Sequence, residues 1–275
     1  IEMNNWKFSK FEKDNAVLYK IPSFEETGLV KHGFTTRIGG VSKQPYRSLN
    51  LGVNTKDNHE AVLKNYRIAC DCLNIDVENV VLSHQVHKDR ILVADESHRG
   101  NGLFHKNRFP EIDALITNKK NVALVTHYAD CVPILILDTK KSVVALAHGG
   151  WKGTALKIGA KVINKMISDF DTNSRDCLIG IGPSIGRCCY EVDDYVIDQF
   201  KKSYEDVTSF VKEKGNGKYD LDLWKANEIS LLEAGVPAEN ITISNMCTKC
   251  NNDIFYSYRA ENGNTGRMAA ILQLI

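Results

Sequence analysis

No apolar run in this sequence approaches the roughly 20 residues that a membrane-spanning helix needs. Its start, IEMNNWKFSKFEKDN, is polar and lacks the apolar centre of a secretory signal; the absence of an initial Met reads as trimming. Charge of one sign is not in excess either. The 35 Lys and Arg residues nearly balance 34 Asp and Glu, which excludes nucleic acid as a partner held by bulk charge. Eight cysteines in 275 residues are too few for a scaffold built on disulfides. Cys70, Cys131 and Cys177 lie in apolar stretches, where a reduced thiol packs as a small hydrophobe. Linkers, repeats and low-complexity stretches are also missing. These absences predict a cytoplasmic protein with free or metal-bound thiols, no membrane contact, and one domain over residues 1–275.

What is present alternates between short apolar runs and amphipathic stretches. A first strand is expected at 16–21, followed by a loop-rich segment, HGFTTRIGGVSKQPYRSLNLGV. Asp57-Asn58-His59-Glu60 reads as a capping box opening a helix whose buried side carries Val62, Leu63, Tyr66, Ala69, Cys70 and Leu73. Strand-like runs follow at 79–82, 90–94, 112–117, 121–126, 132–138 and 142–147, with no helix between them. Helices are predicted at 154–168, 192–202 and 223–234, the last opened by Asp222 and stopped by Gly235. Strands at 177–181, 241–244, 254–258 and 268–275 complete the set. Grouped strands without alternating helices favour an α+β layered fold over a regular βαβ winding.

The chemistry concentrates at strand ends. The run VVALA passes into His148-Gly149-Gly150-Trp151-Lys152-Gly153-Thr154, which brings a histidine to a glycine-rich helix start. Such a turn suits a metal or an anion. Ser83-His84-Gln85-Val86-His87 follows another strand, and Ala129-Asp130-Cys131 precedes a third. Forty-four positions separate His87 from Cys131 and 17 separate Cys131 from His148, a spacing that matches no local zinc finger. Any shared site must therefore be assembled by the fold. Two histidines and a thiolate leave a fourth position for water or substrate, as catalytic zinc sites do. Taken singly, each residue reads as a hydrogen-bonded or core side chain, and His84 and His127 compete for the ligand role.

Cys247-Thr248-Lys249-Cys250 suggests a second metal, but a structural zinc needs two further ligands. The adjacent Cys188 and Cys189 are expected to be strained on one ion, so no second site is expected. Glu191, Asp193, Asp220 and Asp222 are read as helix caps or solvated charges.

In order along the chain, HGFTTRIGGVS, SLNLG, QVH, DALITN, ADCVPILILD, AHGGWKGT, IGPSIGRCCYEV and FYSYRAENGNTGRMA resemble the laccase-domain family of purine nucleoside phosphorylases. That family is also called multicopper polyphenol oxidase-like, or peptidoglycan editing factor. The resemblance runs from His32 to Ile275. It implies a single-domain α/β/β/α sandwich with mixed sheets and a metal site of His87, Cys131 and His148, which act as both ligands and catalytic residues. It further implies phosphorolysis of adenosine, inosine and methylthioadenosine, with adenosine deamination, at a zinc ion. Copper also suits two His and one Cys. The sequence departs from the family at Lys88 after QVH and at Gly149 inside AHGGW; Lys88 would add a cation to the mouth if it points inward.

A phosphorolytic enzyme must hold phosphate as well as a nucleoside. Arg37 in TTRIGG and Arg259 in SYRAENG are the expected guanidinium contacts, with Gly150 and Lys152 beside them at the helix start; Arg267 is read as a structural partner or a third contact. Two other activities fit the same residues. One is a cysteine hydrolase or amidase using Cys131, in peptidoglycan precursor editing; the other is copper-dependent oxidation of phenols.

Overall fold

The computed structural model describes residues 6–109 and 111–275. In chain order the strands are β1 (Ser9–Lys13), β2 (Ala16–Lys20), β3 (Val30–Thr35), β4 (Val80–Leu82), β5 (Ile91–Val93), β6 (Ala114–Thr117), β7 (Ala123–Tyr128), β8 (Val132–Asp138), β9 (Val143–Gly149), β10 (Cys177–Ile181), β11 (Glu191–Asp193), β12 (Val211–Gly215), β13 (Lys218–Leu221), β14 (Ile241–Ile243) and β15 (Met268–Leu274). The helices are α1 (Pro22–Thr27), α2 (His59–Cys72), α3 (Trp151–Ala155), α4 (Ile158–Phe170), α5 (Asp194–Lys201) and α6 (Leu223–Glu233).

Two six-stranded mixed sheets form the body, in the orders β1-β2-β3-β15-β7-β4 and β14-β10-β8-β9-β6-β5. Side-chain alternation explains how they stack. Along β15, Met268, Ala270 and Leu272 enter the core between the sheets, while Ala269 and Ile271 face the opposite way toward α2. Along β8, Leu135 and Leu137 enter the same central core, and Val132, Ile134 and Ile136 face α3, α4 and α6. Both faces of each sheet are thus buried, in a four-layer helix–sheet–sheet–helix order. Antiparallel strands usually alternate polar and apolar residues; these read as unbroken apolar runs because each has a core on both sides. The expected α+β sandwich with mixed sheets is the observed fold.

Several local expectations hold because they rest on local hydrogen bonds. Asp222 caps α6 by accepting from Lys225 N at 3.0 Å, and α2 opens where expected but on a single cap, Asn58 accepting from Ala61 N at 3.0 Å, with no reciprocal Glu60 bond of a capping box among the described residues. Asp193 caps α5 in the same way.

Others are corrected. The helix expected over 154–168 is two helices, because Lys157 takes a left-handed φ of 56° between α3 and α4. The strand expected at 254–258 is a set of turns whose Phe255 and Tyr256 plug the central core. Tyr256 Oη donates to Tyr46 O at 2.6 Å, which places that ring by a loop contact and not by a strand ladder. The first residues of the expected loop, 32–35, belong instead to the central strand β3. A small third sheet, β11-β13-β12, was not expected; the charged residues of VKEKG and KYDL lie at its surface and give no apolar signal.

Candidate metal centre and its cavity

Register brings the ligands together. In the β8–β9 ladder Val132 faces Gly149 and Pro133 faces His148, so Cys131 sits beside the end of β9. In the β6–β9 ladder Ala114 faces Ala147, which sets Asp113 opposite His148; the His148 N–H donates to Asp113 O at 2.8 Å. His87 comes from the β4–β5 loop with a left-handed φ of 61°. The ligand atoms of His87, Cys131 and His148 all lie within 4.8 Å of one another. Cys131 Sγ is 3.8 Å from His87 Nε2, and the two imidazole rings are 4.8 Å apart.

Asp113 organises this trio and was not singled out in the sequence. Its buried Oδ1 accepts from His148 Nδ1 at 2.9 Å and from His87 N at 3.0 Å. Its Oδ2 accepts from Lys88 N at 2.9 Å and Val86 N at 3.2 Å. One carboxylate therefore folds the His87 loop and fixes the His148 tautomer, with the proton on Nδ1 and Nε2 left for a ligand. Its only sequence trace was an aspartate heading the buried run of DALITN.

Burial opposes ionisation of the Cys131 thiol, yet His148 and His87 outweigh it and hold the thiol down to about 6. Burial likewise opposes a charged His148, and Cys131 with Asp113 reverses the effect, raising it to about 9. The pair is thus biased toward thiolate, the form that binds metals and attacks carbonyl carbons. Gly150 keeps the trio tight: a Cβ there would meet His87 Cδ2 at 2.9 Å and Cys131 Sγ at 3.2 Å.

The trio lies in the wall of a cavity of about 580 Å³, a size that accepts a nucleoside-sized molecule. Ser83, Gln85, His127, Trp151, Tyr190, Tyr258, Arg259 and Arg267 also line it. Arg259 stacks over Tyr190 at 5.4 Å and donates to Glu191 O at 3.4 Å. Arg267 Nη1 donates to the carbonyls of Thr265 and Gly266, both at 2.9 Å. Among the described residues neither arginine forms a salt bridge, although the carboxylates of Asp130, in the same cavity wall, and Glu191 act on Arg267 and Arg259 at longer range.

The other expected contacts lie elsewhere. Arg37 is in a separate shallow hollow with Arg47, Asn252 and Asp253. Its guanidinium donates to Asn252 O at 2.6 Å, Arg47 O at 3.2 Å and Glu261 Oε1 at 3.1 Å, and lies 4.6 Å over the Tyr256 ring. With its donors committed to pinning loops, it does not face the cleft. Lys152 is exposed beside Trp151, and Gly150 backs the ligands without lining the cavity. Lys88 is paired with Glu111 at 3.0 Å and adds no cation to the mouth. His84 is exposed and outside the trio, whereas His127 lines the cavity but bonds Tyr66 Oη. The four cysteines 188, 189, 247 and 250, at which no second metal site is expected, lie together in a second cluster.

Residues 31–275 match the family described as multi-copper polyphenol oxidoreductase laccase. The chain is 36% identical over 242 residues to the purine nucleoside phosphorylase YlmD of Bacillus subtilis, covering 87% of each. It is 34% identical over 237 residues to the adenosine deaminase RL5 of an unknown prokaryotic organism, covering 85% of this chain and 90% of that protein. The crystal structure of YlmD from Geobacillus stearothermophilus superposes with a TM-score of 0.92 at 35% identity, covering 98% of this chain and 99% of that one. By its match over residues 31–275, its relatives and its fold, the chain belongs to the laccase-like multi-copper polyphenol oxidoreductase family.

Proposed function

We propose that this chain is a zinc-dependent, cytoplasmic purine nucleoside phosphorylase acting on adenosine, inosine and methylthioadenosine, with adenosine deamination as a second activity. The observation that carries the reading is a His87–Cys131–His148 ligand set opening on a cavity that also holds Arg259 and Arg267, neither of them in a salt bridge among the described residues. The names of the relatives, phosphorylase in one case and deaminase in another, support it.

The donor set fits zinc. Two imidazole nitrogens and one thiolate suit a borderline-soft cation, Cys131 is biased toward thiolate, and Asp113 holds His148 in the ligating tautomer. When bound, zinc supplies Lewis acidity and brings the ionisation of water toward neutrality. Arg259 and Arg267 supply the charge that holds phosphate, taking the part expected of Arg37. Tyr190, Tyr258 and Trp151 give flat apolar walls that would orient a purine and displace water.

Cys131→Ala tests the reading. It removes one small thiol, costing about 1 kcal/mol in packing, and should abolish metal binding at the trio together with phosphate-dependent release of adenine from adenosine. Base release that does not depend on phosphate would overturn the phosphorylase assignment. A second reading, Cys131 as hydrolase nucleophile with His148 as base, draws on the same thiolate bias; unchanged metal content with lost activity in Cys131→Ala would favour it. Copper in place of zinc after purification without added metal would favour the phenol-oxidising reading.

A further inference from the structure

Cys188 and Cys189 end a short 3-10 turn, and Cys247 and Cys250 stand on the turn that follows β14. All four Sγ atoms lie within 4.8 Å of one another. Cys250 Sγ is 3.6 Å from Cys188 Sγ and 3.4 Å from Cys189 Sγ. These separations are far longer than the ~2.05 Å of a disulfide. They approach the sulfur–sulfur edge of about 3.8 Å that four Zn–S bonds of ~2.3 Å give in a tetrahedron. We propose that Cys188, Cys189, Cys247 and Cys250 hold one zinc ion in a closed four-thiolate site, separate from the cavity trio.

The surroundings fit such a site. Cys247 Sγ accepts an N–H from Gly186 at 3.2 Å, the kind of donor that steadies a thiolate. Gly186 packs closely under the cluster: a Cβ there would meet Cys247 Cβ at 3.2 Å and Cys188 Sγ at 3.3 Å, close enough that these cysteines would have to shift slightly. The two neighbouring cysteines reach one point because the tight turn at Arg187–Cys189 presents both toward Cys250.

The ion would staple two walls of the cavity. Ser184 and Thr248 are already zipped by Ser184 N to Met246 O at 3.2 Å and Thr248 N to Ser184 O at 2.9 Å. Asp130, next to Cys131, joins the same walls, accepting from Thr248 Oγ1 and from Arg259 N, each at 2.7 Å. The first wall carries Ile185 and Tyr190, and the second runs on to Tyr258 and Arg259. Four thiolates on a closed site leave no position for substrate, so the role is structural.

The test uses the full chain, first without mutation. Loading with Co²⁺ should produce the strong visible bands and thiolate-to-cobalt charge transfer of a tetrahedral all-sulfur site. Cys131→Ala should keep that spectrum, whether or not the cavity trio binds metal, whereas Cys250→Ser in the Cys131→Ala background should lose it. Zinc per chain should fall by about one on the Cys250→Ser substitution. If Cys250→Ser fails to fold, the spectrum and zinc content of Cys131→Ala still decide. A Cys131→Ala protein that binds neither zinc nor cobalt, or that shows a disulfide among these cysteines by thiol counting, overturns the proposal.

Discussion

At the scale of single residues, the centre depends on Asp113 as much as on the three ligands. Its two oxygens receive three backbone N–H groups from the His87 loop and the Nδ1–H of His148. Asparagine has one carbonyl oxygen and would turn an N–H donor toward groups that also donate. Asp113→Asn should therefore weaken metal affinity by roughly 10–100-fold, the range for loss of such outer partners, while far-ultraviolet circular dichroism stays unchanged. Unchanged affinity in a metal competition titration would show that the ligands hold themselves.

At the scale of elements, a buried histidine joins the sheet to α1. His32 on β3 accepts the N–H of Ile21, the residue capping α1, at 2.8 Å through Nε2, and can do so only while neutral. Burial, with Lys20 adding to it, pushes His32 down from 6.5 to about 3. Between these values the unfolded chain binds a proton at this position that the folded chain refuses. The contribution to stability is complete above pH 6.5 and is lost as pH falls toward about 3. Glutamine keeps an acceptor without a titrating ring. The melting temperatures of wild type and His32→Gln should thus hold a fixed gap above pH 6.5, and acidification should shift that gap in favour of the variant. Parallel melting curves across the acid range would contradict the neutral-histidine account.

At the scale of the whole molecule, the two expected phosphate arginines part company. Arg259 is in the cavity wall with Tyr190, whereas Arg37 ties the loop at Arg47 to Asn252 and Glu261. Arg259→Ala should lower phosphorolysis by roughly 10²–10³-fold and deamination much less, because only the first reaction uses phosphate. Arg37→Ala should lower both activities in proportion and reduce the melting temperature, since its loss loosens loops far from the reacting atoms. Measuring both reactions on both variants separates charge at the site from support of the frame. A selective phosphorolysis defect in Arg37→Ala would return the phosphate role to that hollow.

What the sequence determined is what short stretches control. The runs 132–138 and 143–147 are strands because seven or fewer mostly apolar residues between turn signals have few other stable forms, and Asn58, Asp193 and Asp222 cap helices through hydrogen bonds to the N–H three residues on. The residues alone also reached His148 and Cys131, since strand ends in glycine-rich or polar turns are where ligands can converge; between His84 and His87 only the family resemblance chose. The rest belongs to the tertiary structure. Pairing of β6, β8 and β9 sets Asp113, Cys131 and His148 side by side, and no local pattern encodes a contact between positions 35 residues apart. Arg37 and Arg259 sit in similar polar loops, yet the carbonyls of Arg47 and Asn252 and the carboxylate of Glu261 occupy one guanidinium and leave the other at the cavity. The cysteine quartet joins residues about 60 apart in sequence, 62 and 61 positions for the contacts of Cys250 with Cys188 and Cys189. Its geometry came from a tight turn that spacing alone could not supply.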